Sequence, residues 1–270
     1  MRTDDLVQRA LAALQAGRFT EAAQFAQQAL DAAPERPDAA KFLGYALISL
    51  ERAKDAAAAL ERPAQNGSDS ELAAVYAMAL RRCNRADDAI IWFNHAISRK
   101  PTFPAAFYEL AMTFASLRRT DEAIDALRRG VKASPMSAEM VAQLGNLYYG
   151  ANDRKQAADC FRRALALQPG HAAAHEALAM VLMHDHAFAE AADLFRRMLA
   201  RDPANPHARI HLGNCLLGLG DRDGAYACFR TASAKGPLYS GKSLRILVGS
   251  PRGRFWLRPS AAEKFLNEKA

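Results

Sequence analysis

The stretch from Ala138 to Pro169, AEMVAQLGNLYYGANDRKQAADCFRRALALQP, decides the fold of this chain. Two short amphipathic helices fit it, over 139–150 and 154–167, with a turn at 151–153 between them. Each helix has an apolar face at the three- and four-residue spacings of an α-helix. Pro169 ends the second helix, because proline has no N–H to donate and its ring clashes with the preceding turn. The stretch therefore predicts a helix–turn–helix unit that buries one face of each helix.

The unit recurs along the chain, and from residue 77 onward its period is 34 residues. In the third to seventh units the turn between the two helices is expected near residues 84, 118, 152, 186 and 220. One row of small residues comprises Gly44, Ala77, Ala111, Gly145, Ala179 and Gly213. A second comprises Ala22, Ala56, Ala89, Ala123, Ala157, Ala191 and Ala225. A bulky row comprises Leu60, Phe93, Leu127, Phe161, Phe195 and Phe229, and a proline row comprises Pro34, Pro101, Pro135, Pro169, Pro203 and Pro237.

Two helices per period of 34, with small residues at close crossings and a proline after the second helix, resemble the tetratricopeptide repeat (TPR). The resemblance covers residues 3–237 as about seven units, starting near 3, 37, 70, 104, 138, 172 and 206. It implies an all-α fold, a right-handed αα superhelical solenoid whose first helices line a concave groove. The segment 238–270 is expected to be a basic capping segment with a short final helix, and residues 243–248 within it suggest most of an eighth first helix.

Composition favours a cytoplasmic protein without catalytic activity. No apolar run is long enough to span a membrane, and the first residues, which carry acids at once, do not fit a secretory signal. The four cysteines show no paired spacing for a disulfide or a metal, so free thiols in a reducing compartment are expected. No Ser/His/Asp, Cys/His or paired-carboxylate arrangement stands out. The sequence therefore predicts no enzyme, no catalytic residue and no cofactor.

The resemblance implies where a partner protein binds, because in the TPR family residues of the first helices form the concave wall. In the family's receptors for acidic C-termini, a lysine one helical turn before an asparagine belongs to a carboxylate clamp. Ala142 and Ile210 stand at the lysine positions here, so the clamp is not carried over. The wall instead carries Tyr and Met, which suit the apolar anchors of a peptide or amphipathic helix, and two asparagines that suit a peptide backbone. The predicted groove residues are Tyr45, Met78, Tyr108, Met112, Asn146, Tyr149, Met180, Met183 and Asn214. The alternative is that several of them pack between adjacent repeats.

These features predict a protein-interaction adaptor or chaperone. A homo-oligomeric scaffold is the alternative, because Phe255, Trp256 and Leu257 lie in a basic segment that either caps the last unit or docks into a second copy. Residues 235–270 carry eight Lys or Arg and two acids, whereas the rest of the chain is nearly neutral. Nucleic acid or an anionic membrane is therefore a further, weaker candidate partner of this tail.

Two other patterns suggest chemistry. Residues 236–243, GPLYSGKS, match the phosphate-binding pattern G-x-x-x-x-G-K-[ST], but a repeat helix precedes them where a buried strand should stand. The late histidines form the pairs His171/His175, His184/His186 and His207/His211. They are either a Zn²⁺ or Ni²⁺ site or groove and solvent-facing residues; the lack of a completing Cys or carboxylate favours the second interpretation.

The second unit is irregular. Pro63 falls inside its second helix, which is expected to end near Arg62, and one residue is missing from the period. The run Gln65–Asp69 that follows is rich in turn-forming residues. We predict a hinge or a local change of path at 63–70; the alternative is a shortened helix without a mechanical role.

Overall fold

A computed structural model describes residues 2–249 and 264–266 of the chain. The described residues form helices and turns and contain no strand. The helices are α1 (Thr3–Gln15), α2 (Phe19–Ala32), α3 (Pro37–Ser49), α4 (Ala53–Asn66), α5 (Ser70–Arg82), α6 (Ala86–Ser98), α7 (Ala105–Ser116), α8 (Thr120–Ala133), α9 (Ala138–Gly150), α10 (Arg154–Leu167), α11 (Ala172–His184), α12 (Phe188–Arg201), α13 (Pro206–Leu219), α14 (Arg222–Ser233) and α15 (Pro237–Gly249). Residues 264–266 are also helical.

The chain divides into two compact units, Met1–Met136 and Ser137–Ala270. We call them unit 1, with α1 to α8, and unit 2, with α9 to α15. Within each unit a helix packs against the one before and the one after it, and in unit 1 the helices α3, α5 and α7 also contact one another in order. The predicted all-α helical-repeat fold is confirmed; the right-handed superhelix and the exact number of repeats stay predictions.

The turn inside each helix pair depends on one residue with a left-handed backbone. These residues are Gly17, Glu51, Asn84, Arg118, Asn152, His186 and Gly220, with φ between 59° and 86°. Around Asn152, the amide of Asp153 donates to the carbonyl of Tyr148 at 2.8 Å, which satisfies an otherwise unpaired group at the end of α9. The predicted turns at 84, 118, 152, 186 and 220 are therefore confirmed.

The periodic rows of the sequence form the core. All seven alanines of the second small-residue row are 0% exposed, and the residues of the bulky row are at most 1% exposed. Close packing decides where glycine occurs: a Cβ on Gly145 would lie 2.8 Å from Cε1 of Phe161. Burying each phenylalanine contributes about 1.5–3 kcal/mol, so the bulky row dominates the packing of each pair.

The expected end of α4 near Arg62 is wrong. The helix continues through Pro63 to Asn66, and the amide of Gly67 donates to the carbonyl of Pro63 at 3.0 Å. A proline so near the end removes only the hydrogen bond to the residue-59 carbonyl. The last turn is also held from outside, because the guanidinium of Arg99 donates to the carbonyl of Ala64 at 3.5 Å.

Neighbouring elements of unit 1 restrain the segment at which we predict a hinge. Arg99 also donates to the carbonyl of Asp69 at 3.1 Å, and the hydroxyl of Ser70 donates to the carbonyl of Pro101 at 2.6 Å. Lys41 forms an ion pair with the side chain of Asp69 at 3.1 Å. These contacts link the segment to α3 and to the loop after α6, and the hinge itself stays a prediction.

The C-terminal segment begins as a full helix. The sequence suggests an eighth first helix only over 243–248, whereas α15 begins at Pro237, whose fixed φ and missing N–H suit a first helical position. The residues of the phosphate-binding pattern after Gly236 therefore lie in this helix. At the far end, Leu266 is 3% exposed and the guanidinium of Arg230 in α14 lies over the ring of Phe265 at 4.1 Å. The cap remains a prediction, since Phe255, Trp256 and Leu257 lie outside the described residues.

Candidate partner-binding wall

The unit 1 wall is the surface that the first helices α3, α5 and α7 present together. Four residues of the predicted groove lie on it, each half-buried: Tyr45, Met78, Tyr108 and Met112. Partial burial leaves area for a ligand while neighbouring side chains fix the conformation. The four side chains lie on helices that contact one another in order within one compact unit, and their role as one contact surface stays a prediction.

Charged groups on the same wall are paired with one another. Lys41 contacts Asp69 at 3.1 Å and Glu71 at 3.0 Å, and the hydroxyl of Tyr45 donates to Glu71 at 3.0 Å. Burial raises the pKa of Tyr45, and the negative charge of Glu71 raises it further, so Tyr45 stays a neutral donor. Burial opposes the charge on Lys41, but the carboxylates of Glu71 and Asp69 outweigh that effect and raise the pKa of Lys41.

A second ion pair links α5 to α7, where Arg81 contacts Glu109. The two pairs show a spacing that sequence reasoning missed, because Lys41 and Asp69, like Arg81 and Glu109, are 28 residues apart. A base followed by an acid at this distance places opposite charges on neighbouring first helices. The acids Asp69 and Glu109 could have been found from that signal, and with them the pairing of the charges of Lys41 and Arg81.

The unit 1 wall continues into a cleft of about 670 Å³ at the loop end of the repeats. Lys41 and Glu71 line it, together with the loop residues 66–69 and 100–103. Its lining combines charged side chains with Leu72 and Phe103, and its volume leaves room for an end of a bound chain.

The unit 2 wall is formed by the first helices α9, α11, α13 and α15. Tyr149 is half-buried; its hydroxyl lies 2.7 Å from Nδ1 of His184, and the two rings stack with centroids 5.9 Å apart. Met180 is half-buried and Asn146 is exposed, with the Asn146 amide donating to Gln143 at 3.2 Å. These groups are accessible to a ligand on the surface of unit 2.

Two predicted groove residues have a packing role in unit 2. Met183 is only 7% exposed, and its sulfur accepts a hydrogen bond from the side-chain amide of Asn214 at 3.4 Å. The interpretation that some Met residues pack between repeats therefore fits Met183 better than a contact surface does. Sequence spacing missed this because positions 180 and 183 lie on the same side of α11.

The late histidines have protein partners. His171 accepts from the amide of Ala174 at 3.2 Å and lies 3.1 Å from Glu139, so it caps α11. His175 lies 2.9 Å from the carbonyl of Pro169. Among residues 2–249 and 264–266, no group of three or more His, Cys, Asp or Glu side chains is placed to hold a metal ion.

Two further observations concern reactivity and membranes. All four cysteines are free, and burial raises the pKa of Cys160 to about 11 and that of Cys215 to about 12, which keeps both thiols protonated. None of the helices in the described part of the chain combines the length and the apolar character needed to cross a membrane.

Comparison with known proteins identifies the repeats. One model of the tetratricopeptide repeat matches residues 77–138 and 143–206, and a second matches 13–79 and 182–240. No curated protein sequence matches the chain.

Solved structures share the fold at low sequence identity. The C-terminal part of a TPR repeat-containing protein from Cytophaga hutchinsonii has a TM-score of 0.69 at 14% identity, covering 87% of this chain and 98% of that one. The pilF protein of Pseudomonas aeruginosa has a TM-score of 0.63 at 15% identity, covering 75% and 93%. A MamA protein has a TM-score of 0.51 at 21% identity, covering 62% and 92%. At these identities the likeness shows the fold alone, and together with the matched repeats it supports one conclusion: the chain belongs to the tetratricopeptide repeat family.

Proposed function

We propose that this chain is a non-enzymatic, cytoplasmic interaction module of the adaptor or chaperone type. It binds a peptide or an amphipathic helix of a partner protein along the first helices of its repeats. The observation that carries the proposal is the unit 1 wall, where Tyr45, Met78, Tyr108 and Met112 are half-buried beside charges that already have partners.

The internal pairing of those charges indicates how a partner is recognised. Lys41 and Arg81 each contact a carboxylate of the next repeat, so a charged ligand would have to break an existing ion pair. Apolar contact with the Tyr and Met side chains requires no such exchange. Tyr offers a large rigid surface at a low cost in conformational entropy, and Met adapts to the shape of a ligand. The wall therefore favours apolar anchors spaced along an extended or helical segment.

Selection from a random peptide library on the full-length chain tests the proposal. We expect enriched peptides with two or more apolar anchors. Their affinity for Tyr45→Ala/Tyr108→Ala should fall at least about tenfold, since truncating one interface hot spot alone costs about 2 kcal/mol or more. Ile91→Ala is the matched control, because Ile91 is 55% exposed on the second helix α6, away from the wall. Selected peptides that bind a folded double variant as tightly as the parent chain would refute the assignment.

The scaffold alternative rests on the tail. Light scattering over a concentration series distinguishes the two functions: a monomer throughout supports the adaptor, whereas a discrete oligomer that is lost in Phe255→Ala/Trp256→Ala supports the scaffold. The same tail is the candidate for binding nucleic acid or an anionic membrane, and such binding would weaken steeply with added salt.

A further inference from the structure

Unit 2 carries a positive surface without acidic residues of its own. Neither α13 nor α15 contains an Asp or a Glu, and the two helices contact each other. Their polar side chains include His207, His211, Lys242 and Arg245, which we call the basic face. In unit 1, by contrast, Lys41 and Arg81 on the first helices are each paired with a carboxylate.

Contacts between α13 and α15 hold part of the basic face in place. The ammonium of Lys242 donates to Nδ1 of His207 at 3.4 Å. The ring of His207 also meets the ring of Tyr239 edge-on, with centroids 5.3 Å apart, which fixes its orientation. An ammonium has three N–H groups, and this contact uses one.

Arg245 extends the same surface. It follows Lys242 by three residues on α15, so the two side chains share one helical face, and Arg245 is exposed. Lys242 and Arg245 therefore lie within about one turn of α15, and Lys242 contacts the ring of His207 on α13. No carboxylate within the described residues contacts the side chain of Lys242 or Arg245.

His211 supports the face without adding charge. Its ring stacks on Phe195 with centroids 5.4 Å apart, and its buried Nδ1 has no hydrogen-bond partner in the described part of the chain. Burial, together with the smaller effects of nearby His207, Lys242 and His184, lowers the pKa of His211 to about 4, so the ring is neutral at pH 7. The positive charge of the face at that pH therefore comes from Lys242 and Arg245.

We propose that the basic face of α13 and α15 binds an acidic segment of a partner protein. Carboxylates of that segment accept hydrogen bonds from Lys242 and Arg245. Charge complementarity carries the choice of ligand, because hydrogen bonds between ionised groups are roughly twice as strong as neutral ones. A nucleic acid is less favoured, because the basic face offers two cations for phosphates and the ring of Tyr239, which a base could stack on, already meets the ring of His207. The inference rests on the proposed interaction function and adds the charge of the ligand.

Fluorescence polarisation of a fluorescein-labelled glutamate–glycine peptide tests the inference on the full-length chain. We expect the Lys242→Gln/Arg245→Gln variant to bind the peptide about tenfold more weakly, a change of about 1.4 kcal/mol. The matched control is Lys54→Gln/Lys132→Gln, which removes the same charge from exposed positions on second helices of unit 1. Its affinity should stay within about twofold, and a glutamine–glycine peptide should not bind the parent chain.

Three results would overturn the inference. The control variant could lose as much affinity as the basic-face variant, or the glutamine–glycine peptide could bind as tightly as the glutamate peptide. A single-stranded oligonucleotide could also bind through Lys242 and Arg245 while the acidic peptide does not. Failure here is distinguishable from failure of the proposed function, since the library-selected peptides depend on Tyr45 and Tyr108 in unit 1. If those peptides still bind and the acidic peptide does not, only the acidic ligand is refuted.

Discussion

Replacing Gly145 by alanine tests the close approach of α9 to α10 that defines a repeat. A Cβ at this position would lie 2.8 Å from Cε1 of Phe161 and 3.0 Å from its Cδ1 and Cζ. These distances are shorter than ordinary carbon contacts of about 3.5–4.0 Å. Phe161 is 1% exposed, so its ring has no open space to move into.

Two opposing effects set the magnitude. Alanine is favoured over glycine inside a helix by about 1 kcal/mol. Inserting a methyl group into a packed core costs about 1–3 kcal/mol. Taking the middle of that range, we expect Gly145→Ala to lower the free energy of unfolding by about 1 kcal/mol net.

Gly241→Ala is the matched control. Gly241 lies inside α15 of the same unit, and a Cβ there would meet no atom of the described residues within 4 Å. Only the helix preference acts, so the free energy of unfolding should rise by about 0.5–1 kcal/mol. The same chemical change should therefore shift stability in opposite directions at the two positions.

Urea unfolding followed by circular dichroism measures both variants. A double-mutant cycle with Phe161→Leu isolates the contact, because leucine lacks the ring atoms that the new methyl group would meet and already occupies the same row at Leu127. Gly145→Ala should cost less when residue 161 is leucine. If Gly145→Ala raised the urea midpoint as much as Gly241→Ala does, the close packing of α9 on Phe161 would be refuted.

Three further results follow from other contacts. In the unfolded chain His211 takes up a proton near pH 6.5, whereas burial lowers its pKa in the folded chain to about 4, so the free energy of unfolding should fall as pH drops from about 6.5 to 4. His211→Gln should flatten this slope in unfolding measured across the range, and an unchanged slope would contradict the burial of the ring. Cys215 is 0% exposed with a pKa raised by burial to about 12, so it should react with a thiol reagent at pH 8 only after denaturation, and labelling of the native chain at Cys215 would disprove this. Arg99→Ala should speed amide exchange at 64–70 about tenfold, because it removes the hydrogen bonds from Arg99 to the carbonyls of Ala64 and Asp69. The turn at Asn84 is the internal control, and unchanged exchange at 64–70 would show that Arg99 does not restrain the segment.

The fold was predictable from the sequence because its determinants are local and periodic. The expected helices at 139–150 and 154–167 agree with α9 and α10 to within one residue. The turns were found because residues such as Asn152 and Gly220 tolerate a left-handed backbone. The end of α4 was misjudged because the local rule for Pro63 ignores Arg99, which lies 35 residues after Ala64 and holds the last turn of α4.

The site was less predictable, because exposure and pairing depend on neighbouring repeats. Helical spacing placed Tyr45 and Tyr149 on the wall but gave no sign that Glu71 and His184 contact their hydroxyls. It also grouped Met183 with Met180, although the first is buried and the second half-buried. The apolar side chains of the two walls define a class of ligand and no single partner sequence.

Site-specific photocrosslinking tests the central claim most directly. A benzoylphenylalanine replaces Met112 on the unit 1 wall in one variant and Ile91 on α6 in another, and both are irradiated in the cells that express the chain. We predict that the probe at position 112 crosslinks to one defined segment of a partner protein, with apolar residues at the crosslink. The probe at position 91 should give no crosslink to that segment. Crosslinks of the same partner from position 91 alone, or equally from both positions, would contradict binding along the first helices.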